Sequence, residues 1–308
     1  MEYGLRQQLP ILLLKLMSIT SSQNSNENIN LLAAQRFLYA KAKNIRTFRI
    51  VCSLIFALII APITIIIIPE IKIIVGIISS IWVVIVFLLT HFENRLIRNA
   101  ATIQEQFDTS VFDMRWNKFL VGNKISPEII VSANRKYKGE RKKLENWYGD
   151  ISNIPHSFAV LLCQRSNLVW DWRLRRYLAW TILIFLLILT GVEGSIAYYF
   201  NISSQVFFLG LFLPSISFII IALRELKEHF EIADNKEKLE GQLTNLLNQF
   251  VDGDSIGSDN DTRQIQDKIF ELRKRAVLIP DWWYSILKID FENDMQSSID
   301  MYKEKLNH

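Results

Sequence analysis

Two long apolar blocks, residues 50–91 and 177–223, restrict the folds open to this 308-residue sequence more than any other feature. Outside these blocks the chain has the charged composition of an ordinary helical protein. Apolar residues are therefore concentrated in two places and are not spread along the chain as they would be in a soluble core. This distribution is typical of a membrane protein with large aqueous parts.

The first block contains two uncharged runs, IVCSLIFALIIAPITIIII at 50–68 and IIVGIISSIWVVIVFLLT at 73–90. A helix of about 19 residues reaches about 28 Å, which is close to the hydrocarbon thickness of a bilayer. Pro69 and two charged neighbours separate the runs, which disfavours one long buried helix and predicts a tight hairpin. Pro62 is acceptable inside the first span because kinked helices are tolerated in lipid.

The second block predicts another hairpin, but the outer end of its first span has two interpretations. Residues 177–192 are almost wholly apolar, Glu193 follows, and the polar NISSQ at 201–205 marks a turn before the run at 206–223. If the third span ends just before Glu193, this residue lies at the membrane surface. If the span continues to Phe200, Glu193 lies at membrane depth, where an acid is costly and should face a bundle interior or water.

The basic residues predict the topology. Of the 35 Lys and Arg residues, 34 lie outside the two apolar blocks, and only Lys72 lies within them. Because Lys and Arg are enriched on the cytoplasmic side of membrane proteins, the aqueous segments and both termini are predicted to be cytoplasmic. The predicted fold class is an all-α integral membrane protein with four transmembrane helices in two hairpins and a helical cytoplasmic domain. Its predicted domains are N-terminal helices (1–49), hairpin 1 (50–91), a basic helical segment (92–176), hairpin 2 (177–223) and acidic C-terminal helices (224–308).

Helical periodicity continues through the aqueous segments. Asn residues before Ile29 are capping candidates for a helix that runs into the first span. Residues 251–262 are predicted to be a loop, and LPILLLKLM at 9–17 is predicted to be an amphipathic or buried helix and not a signal peptide. A short apolar pattern after the fourth span fits either a coiled-coil seam or a helix packed on its own domain. This pattern consists of Leu239, Leu243, Leu246 and Phe250.

Neither catalysis nor metal binding is predicted. The sequence has no P-loop, G-x-G-x-x-G, H-E-x-x-H, C-x-x-C or G-x-S-x-G pattern, so we expect no enzymatic activity and no cofactor. An EF-hand beginning at Asp252 would need ligands where Ile256 and Arg263 stand, so no calcium site is expected. Cys52 lies within a span and Cys163 outside the membrane, so no disulfide is expected.

Charge is distributed unevenly among the aqueous segments. Residues 1–49 and 92–176 together hold 22 basic and 11 acidic residues, whereas residues 224–308 hold 12 basic and 18 acidic residues. The densest basic run is RKYKGERKK at 135–143. It fits attraction to anionic lipid headgroups, a site for an anionic ligand, or packing against the acidic segment, and all three interpretations stay open.

Five aromatic-rich motifs resemble one known family. They are AAQRFLYAKAK (33–43), IQEQFDTSVFDMRWN (103–117), WYGDI (147–151), LLCQRSNLVWDWRLRRY (161–177) and IPDWWY (279–284). With the two hairpins, they resemble the SMODS-associating four-transmembrane effectors over nearly the whole chain. The resemblance implies an anti-phage operon in which a nucleotidyltransferase makes a cyclic oligonucleotide. It also implies a multi-pass effector in the bacterial inner membrane that senses this signal and disrupts or permeabilises the membrane, which causes abortive infection.

The expected partners follow from this resemblance. They are a cyclic oligonucleotide, the lipid bilayer and further copies of the chain in a homo-oligomer, without polymeric nucleic acid. The alternative function is a four-span channel or membrane scaffold that is gated by lipid, voltage or a protein partner and has no nucleotide ligand.

For the cyclic oligonucleotide that the resemblance implies, Arg would bind phosphate through its planar fork, and Trp or Tyr would stack on the bases. The predicted nucleotide-binding residues are Gln164, Arg165, Asn167, Trp170, Arg173, Trp116 and Tyr148. Gln164, Arg165 and Asn167 could instead contact another subunit, and the roles of Asp108, Asp113 and Trp116 are equally open. A buried structural network is an alternative explanation for all of these residues.

Four residues beside the third span are predicted to be membrane-interface anchors: Arg175, Arg176, Tyr177 and Trp180. Helical spacing also predicts that Asp171 and Arg175 form a pair. In an oligomer, copies of Glu193 are predicted to form a carboxylate ring near the outer mouth of a pore, which would favour cations. The alternative is that Glu193 only ends the third span.

Overall fold

The computed structural model describes residues 19–148, 151, 154–252 and 259–307, so the helix predicted from LPILLLKLM lies outside the described residues. Within these ranges the chain is helical and contains no strand. The helices are α1 Ile19–Gln23, α2 Asn26–Ile55, α3 Ala61–Ile66, α4 Lys72–Val111, α5 Lys118–Val121, α6 Pro127–Lys136, α7 His156–Tyr199, α8 Ser204–Phe207, α9 Leu213–Val251, α10 Asp259–Arg275 and α11 Asp281–Asn307.

The first hairpin forms as predicted. α2 begins after Ser25, whose Oγ accepts a hydrogen bond from the backbone N–H of Asn28 at 3.3 Å. The expected Asn cap is therefore wrong, because a serine takes that role. α2 continues through a π-helical turn at Phe56–Ile60 into α3, where Pro62 lacks the N–H of a regular helix. A short 3₁₀ turn at Pro69–Ile71 then reverses the chain into α4.

The second hairpin consists of α7 and α9, which are joined through α8 and a second π-helical turn at Phe208–Phe212. Pro214 follows this turn, as Pro62 follows the first one. α7 continues past Glu193 to Tyr199. The helix therefore does not end at Glu193, because six more helical residues follow it, and the depth of Glu193 in the membrane stays a prediction.

Four helical segments are long and apolar enough to cross a membrane: Asn26–Thr64, Lys72–Val111, His156–Tyr199 and Ser204–Val251. Their outward faces carry large apolar side chains, among them Phe87 at 74% and Leu187 at 63% exposure. Such a continuous apolar surface is expected where side chains meet lipid. The predicted fold class, an all-α protein with four transmembrane helices in two hairpins, is confirmed.

The two hairpins pack on each other through α9. α2 packs along α4, α7 packs along α9, and α9 also contacts both helices of the first hairpin. The fourth span is the most buried of the four. A small apolar cluster joins the hairpins inside the spanning region, and it consists of Ala57, Leu186, Leu189, Phe218 and Ala222.

The polar part of the protein, which we call the head domain, comprises residues 19–49, 92–176 and 224–307. α2, α4, α7 and α9 run from the apolar region into this domain without a break, so the predicted domain boundaries lie inside continuous helices. One core surrounds Leu32 and Phe107, and a second surrounds Phe158 and Leu243.

Two predictions concern the end of α9 and the loop that follows it. The pattern that begins at Leu239 packs against Phe158 and Ile269, so this helix packs on its own domain and does not present a free coiled-coil seam. α10 begins at Asp259, so the predicted loop at 251–262 is too long at its C-terminal end. Residues 253–258 of that loop lie outside the described residues.

Candidate functional site

A groove of about 640 Å³ lies in the head domain where α4, α9 and α10 meet. α4 contributes Asn94 and Arg98, and α10 contributes Lys268 and Arg275. The polar lining residues of α9 recur every three or four positions, which places them on one helix face. They are Arg224, Glu228, Glu231, Asn235, Lys238 and Gln242.

The groove is rich in basic side chains. Three acidic residues, Glu228, Glu231 and Glu271, also line it. The basic lining residues outnumber them, and they are Arg98, Arg224, Lys238, Lys268, Lys274 and Arg275. The floor between them is apolar, because Ile97 and Ile232 are buried beneath the charged rim. The lining therefore presents cations over an apolar base.

The ion pairs inside the groove are weak. Arg224 pairs with Glu228 at 2.8 Å and Lys268 with Glu271 at 3.6 Å, and both basic side chains are exposed. Exposed pairs within one helix stabilise a protein little, because water screens them and side-chain entropy opposes them. A multivalent anion in the groove can therefore recruit these cations at small cost.

A buried polar network lies on the inner side of α10 and is built around Asp108. The carboxylate of Asp108 accepts a hydrogen bond from Tyr148 Oη at 2.6 Å and from Gln266 Nε2 at 3.0 Å, and it pairs with Arg273. Tyr148 Oη in turn accepts a hydrogen bond from Asn167 Nδ2 at 3.2 Å. The network thus ties α4, α7 and α10 to the loop that carries Tyr148.

The charges of this network stabilise each other. Burial and the charge of Asp108 raise the pKa of the Tyr148 phenol well above its usual range, so this group stays protonated and donates. Burial lowers the pKa of Arg273, but the charge and hydrogen bond of Asp108, together with the nearby Tyr148 and Tyr39, outweigh burial and raise this pKa above its ordinary value. Gln164 extends the network, because its Nε2 donates to Thr262 O at 2.8 Å and to Gln266 Oε1 at 3.2 Å.

The remaining predicted nucleotide-binding residues also contact protein groups. Arg165 pairs with Glu240 at 2.9 Å and donates to Thr244 and Ser298. Trp116 Nε1 donates to Gly122 O at 2.9 Å. Arg173 lies 5.4 Å from the ring centre of Trp172. The side chain of Trp170 lies outside the described residues. None of the six predicted residues whose side chains are described lines the basic groove, and whether any of the seven binds a ligand stays a prediction.

Buried ion pairs join the spans just where the apolar runs give way to the head domain. Arg46 of α2 pairs with Glu225 of α9, and Arg49 of α2 pairs with Glu93 of α4. Arg49 also donates to Thr90 Oγ1 at 2.8 Å. α2 is thereby tied to both of its neighbours by charges that are nearly inaccessible to water.

The predicted anchor Arg175 lies inside the protein. It pairs with Asp171, as the helical spacing predicts, and Lys236 joins the same carboxylate at 2.6 Å. Arg175 Nη1 also donates to Val277 O at 2.7 Å and lies 3.2 Å from His229 Nδ1. This cluster links α7, α9 and the segment after α10.

The other three predicted anchors lie nearer the surface. Arg176 pairs with Asp234 at 2.6 Å and with Glu237 at 2.9 Å. Tyr177 and Trp180 are exposed beside the third span. Such positions are compatible with a membrane interface, and anchoring stays a prediction.

Glu193 is buried between the two helices of the second hairpin, and its Oε1 accepts a hydrogen bond from Ser215 Oγ. Ser215 lies next to Pro214, directly after the second π-helical turn. In a single copy of the chain, Glu193 therefore faces its own hairpin.

Comparison with known proteins identifies the family. The profile of the SMODS-associating 4TM effector domain matches residues 17–302. This chain belongs to the SMODS-associating 4TM effector family. A curated relative, a probable CBASS effector molecule of Bacillus cereus (strain VD146), is 35% identical over 274 residues, which cover 85% of this chain and 90% of the relative. No solved structure matches the chain. The resemblance inferred from the sequence motifs is confirmed.

Sequence reasoning missed the basic groove of this 4TM effector. The signal that could have indicated it is the recurrence of Lys and Arg with helical spacing after the fourth span, at Arg224, Lys238, Lys268 and Arg275. That segment was instead regarded as acidic, because its net charge hides a basic face. Chemically, the groove offers several flexible cations for phosphate groups and, in Asn235 and Gln242, amides for hydrogen bonds.

Proposed function

We propose that this 4TM effector senses a cyclic oligonucleotide in the basic groove and then permeabilises the membrane as an anti-phage effector of the CBASS type. The head domain and both termini would be cytoplasmic in a bacterial inner membrane, which the concentration of Lys and Arg outside the spans supports. The curated relative that is named a probable CBASS effector supports the same role.

The observation that carries this proposal is the continuity of α4 and α9 from the groove into the membrane. Both helices line the groove, and both continue as uninterrupted helices into the second and fourth spans. A ligand that changes their spacing in the head domain must therefore tilt or rotate the spans. A conformational change follows only if the ligand binds one arrangement of these helices better than the other.

The groove matches the chemistry of a cyclic oligonucleotide in two respects. The phosphates carry negative charges that exposed cations such as Lys238, Lys268 and Arg275 can pair with. The bases are flat and partly apolar, and the floor at Ile97 and Ile232 offers them an apolar contact. No aromatic ring lines the groove within the described residues, so base stacking would be absent there. Selection among bases would then depend on the amides at its edge.

The membrane step would use the π-helical turns. The turn at Phe56–Ile60 contacts α9, and the turn at Phe208–Phe212 contacts the first hairpin. A π turn followed by proline lacks part of the regular hydrogen bonding and is a natural place for a helix to bend. Bending there would open the packing between hairpins, allow copies of the chain to associate as a homo-oligomer, and bring Glu193 to a pore.

Calorimetric titration of the purified full-length protein with cyclic di- and trinucleotides tests the ligand step. Lys238→Gln combined with Lys268→Gln should weaken binding of the active nucleotide at least about tenfold, because two charge-assisted contacts are lost. The matched control is Lys142→Gln combined with Lys143→Gln, which removes two exposed lysines outside the groove. An equal loss of affinity in the control would show that the nucleotide is attracted by the net charge of the protein and not by the groove. If no cyclic oligonucleotide binds, the proposal is wrong.

A further inference from the structure

A second cavity, of about 470 Å³, lies between α4 and α9 where their apolar runs end. On one side it is lined by Val83, Phe87 and Ile220, which belong to those runs. On the other side it is lined by Arg224 and Arg275. The cavity is therefore apolar toward the spans and charged toward the head domain, where three acidic residues also line it. Phe87 and Ile220 are exposed on the surface that faces lipid, so the cavity is accessible from the bilayer.

Two buried polar atoms in the wall point to a ligand. Ser217 is 2% exposed and Arg49 is 5% exposed, and both residues line the cavity. Neither Ser217 Oγ nor Arg49 Nε has a hydrogen-bond partner among the described residues. Leaving buried donors unpaired is costly, so a molecule that brings acceptor oxygens to this depth would be stabilised.

The acidic residues in the wall are already neutralised. Glu93 pairs with Arg49, Glu225 with Arg46, and Glu228 with Arg224. Among the residues that the structure describes, Arg275 has no acidic partner, and it is exposed at the head-domain side of the cavity. An anion at this side would therefore meet two guanidinium groups. Within the described part of the chain, Arg275 is unpaired, and Arg224 pairs only with Glu228 at the exposed surface.

We propose that this cavity binds one anionic glycerophospholipid. Its phosphate would pair with Arg224 and Arg275, its ester carbonyls would accept hydrogen bonds from Ser217 Oγ and Arg49 Nε, and an acyl chain would lie along Phe87. The charged phosphate of such a lipid would lie at the charged side of the cavity, and its hydrocarbon would lie at the apolar side. Basic pockets between spans on the cytoplasmic side suit anionic headgroups.

The lipid site adjoins the basic groove but does not depend on it. Both are lined by Arg224 and Arg275, so a phosphate in one would draw these side chains away from the other. If the proposed nucleotide function holds, ligand binding should release the lipid. The lipid site itself needs no nucleotide, and its test uses lipids alone.

Native mass spectrometry of the full-length protein, with equal amounts of phosphatidylglycerol and phosphatidylcholine, tests the charge requirement. Phosphatidylglycerol should be retained in preference, and Arg224→Gln combined with Arg275→Gln should lower its retention by on the order of fivefold per arginine. The control is Arg95→Gln, an exposed arginine of α4 that does not line the cavity. Equal retention of the two lipids in the unmodified protein would overturn the proposal.

A second pair of variants tests the apolar part. Ile220→Trp should fill the cavity and reduce phosphatidylglycerol retention severalfold, whereas Leu223→Trp, one turn along the same lipid-facing helix, should not. Neither residue lines the basic groove, so these variants should leave nucleotide binding intact. The lipid proposal can therefore be wrong while the nucleotide proposal holds, and the reverse. Unchanged retention in Ile220→Trp would overturn the lipid site. Displacement of the lipid by an equal concentration of glycerol 3-phosphate would show a site for free phosphate and would also overturn it.

Discussion

Arg46 and Glu225 form a two-bond ion pair between the first and fourth spans. Arg46 Nε donates to Glu225 Oε1 at 2.8 Å, and Arg46 Nη2 donates to Glu225 Oε2 at 2.6 Å. The two residues are 4% and 7% exposed. Glu225 directly follows Arg224, which lines the basic groove, so the pair lies between the groove and the membrane. The pair therefore ties α9 to α2 directly beside the groove.

The first prediction concerns this pair. Glu225→Ala should lower the free energy of unfolding by roughly 3–5 kcal/mol, because it leaves the Arg46 guanidinium buried without its partner. Thermal unfolding in detergent, followed by circular dichroism, measures the loss. The control is Glu228→Ala one turn later, where the partner Arg224 is exposed and the loss should stay under about 1 kcal/mol. Similar losses in the two variants would contradict a special role for the buried pair.

The second prediction separates structure from ligand binding at Tyr148. Tyr148→Phe removes the hydroxyl that donates to Asp108 and accepts from Asn167, and both partners are then left in a buried site. The expected cost is about 1–3 kcal/mol of unfolding free energy, with nucleotide affinity unchanged. Titration and thermal unfolding of the same sample measure both quantities. A large loss of affinity at unchanged stability would instead support the nucleotide-binding role that the sequence predicts.

The four spans could be predicted from the sequence, because the length and apolar composition of a span are properties of one short stretch of the chain. An uncharged run such as 50–68 is long enough to cross a bilayer whatever the rest of the chain does. The break at Pro69 is equally local, and the helix through Ile29 follows from its own periodicity. The interruption by π-helical turns was not predicted, since a proline in a span is compatible with several distortions.

The candidate site could not be predicted, because it depends on which helix faces meet. Arg98 and Arg275 line one groove although many residues separate them in the chain. Conversely, Tyr148 and Gln164 have the side-chain types of a nucleotide site, yet their partners Asp108 and Gln266 come from distant helices. A single sequence does not show whether a polar side chain will meet a ligand or another side chain.

The third prediction tests the topology. If the head domain is cytoplasmic, single cysteines introduced near Glu70 or Asn201, in the two turns between spans, should react with a membrane-impermeant maleimide added to intact cells. A cysteine at Lys142 should react only after the cells are opened. Cys52 and Cys163 are replaced by serine beforehand to remove the native thiols. Labelling of position 142 in intact cells would reverse the predicted orientation.

The fourth prediction concerns the first π-helical turn. Pro62→Ala restores a backbone N–H to the span and should favour a regular helix over the π turn at Phe56–Ile60. Nucleotide affinity should persist, while nucleotide-triggered leakage from liposomes should fall severalfold because the bend is lost. Pro127→Ala is the control, since Pro127 lies in the first turn of α6, where its missing N–H has little cost. Equal leakage in both variants would show that the π turn takes no part in opening.

The last prediction concerns Glu193 and Ser215. Their hydrogen bond holds the carboxyl group inside one hairpin, so a carboxylate ring can form only after this contact breaks and α7 turns relative to α9. Ser215→Ala removes the donor and should let leakage begin at a lower nucleotide concentration. Glu193→Gln removes the charge and should reduce the preference of the leak for cations over anions, because a carboxylate ring attracts cations.

Both variants are measured in liposomes with opposing potassium and chloride gradients, and the reversal potential gives the selectivity. Thr190→Ala, on the same helix one turn before Glu193, is the matched control, since its hydroxyl bonds only to the backbone of its own helix at Leu186 and Leu187. Glu193→Gln could leave the reversal potential unchanged while Ser215→Ala still lowers the nucleotide concentration at which leakage begins. In that case the hydrogen bond between the two residues restrains opening, but Glu193 does not line the pore. If neither variant differs from Thr190→Ala, Glu193 is a packing group of the second hairpin, and the pore must be lined by other residues.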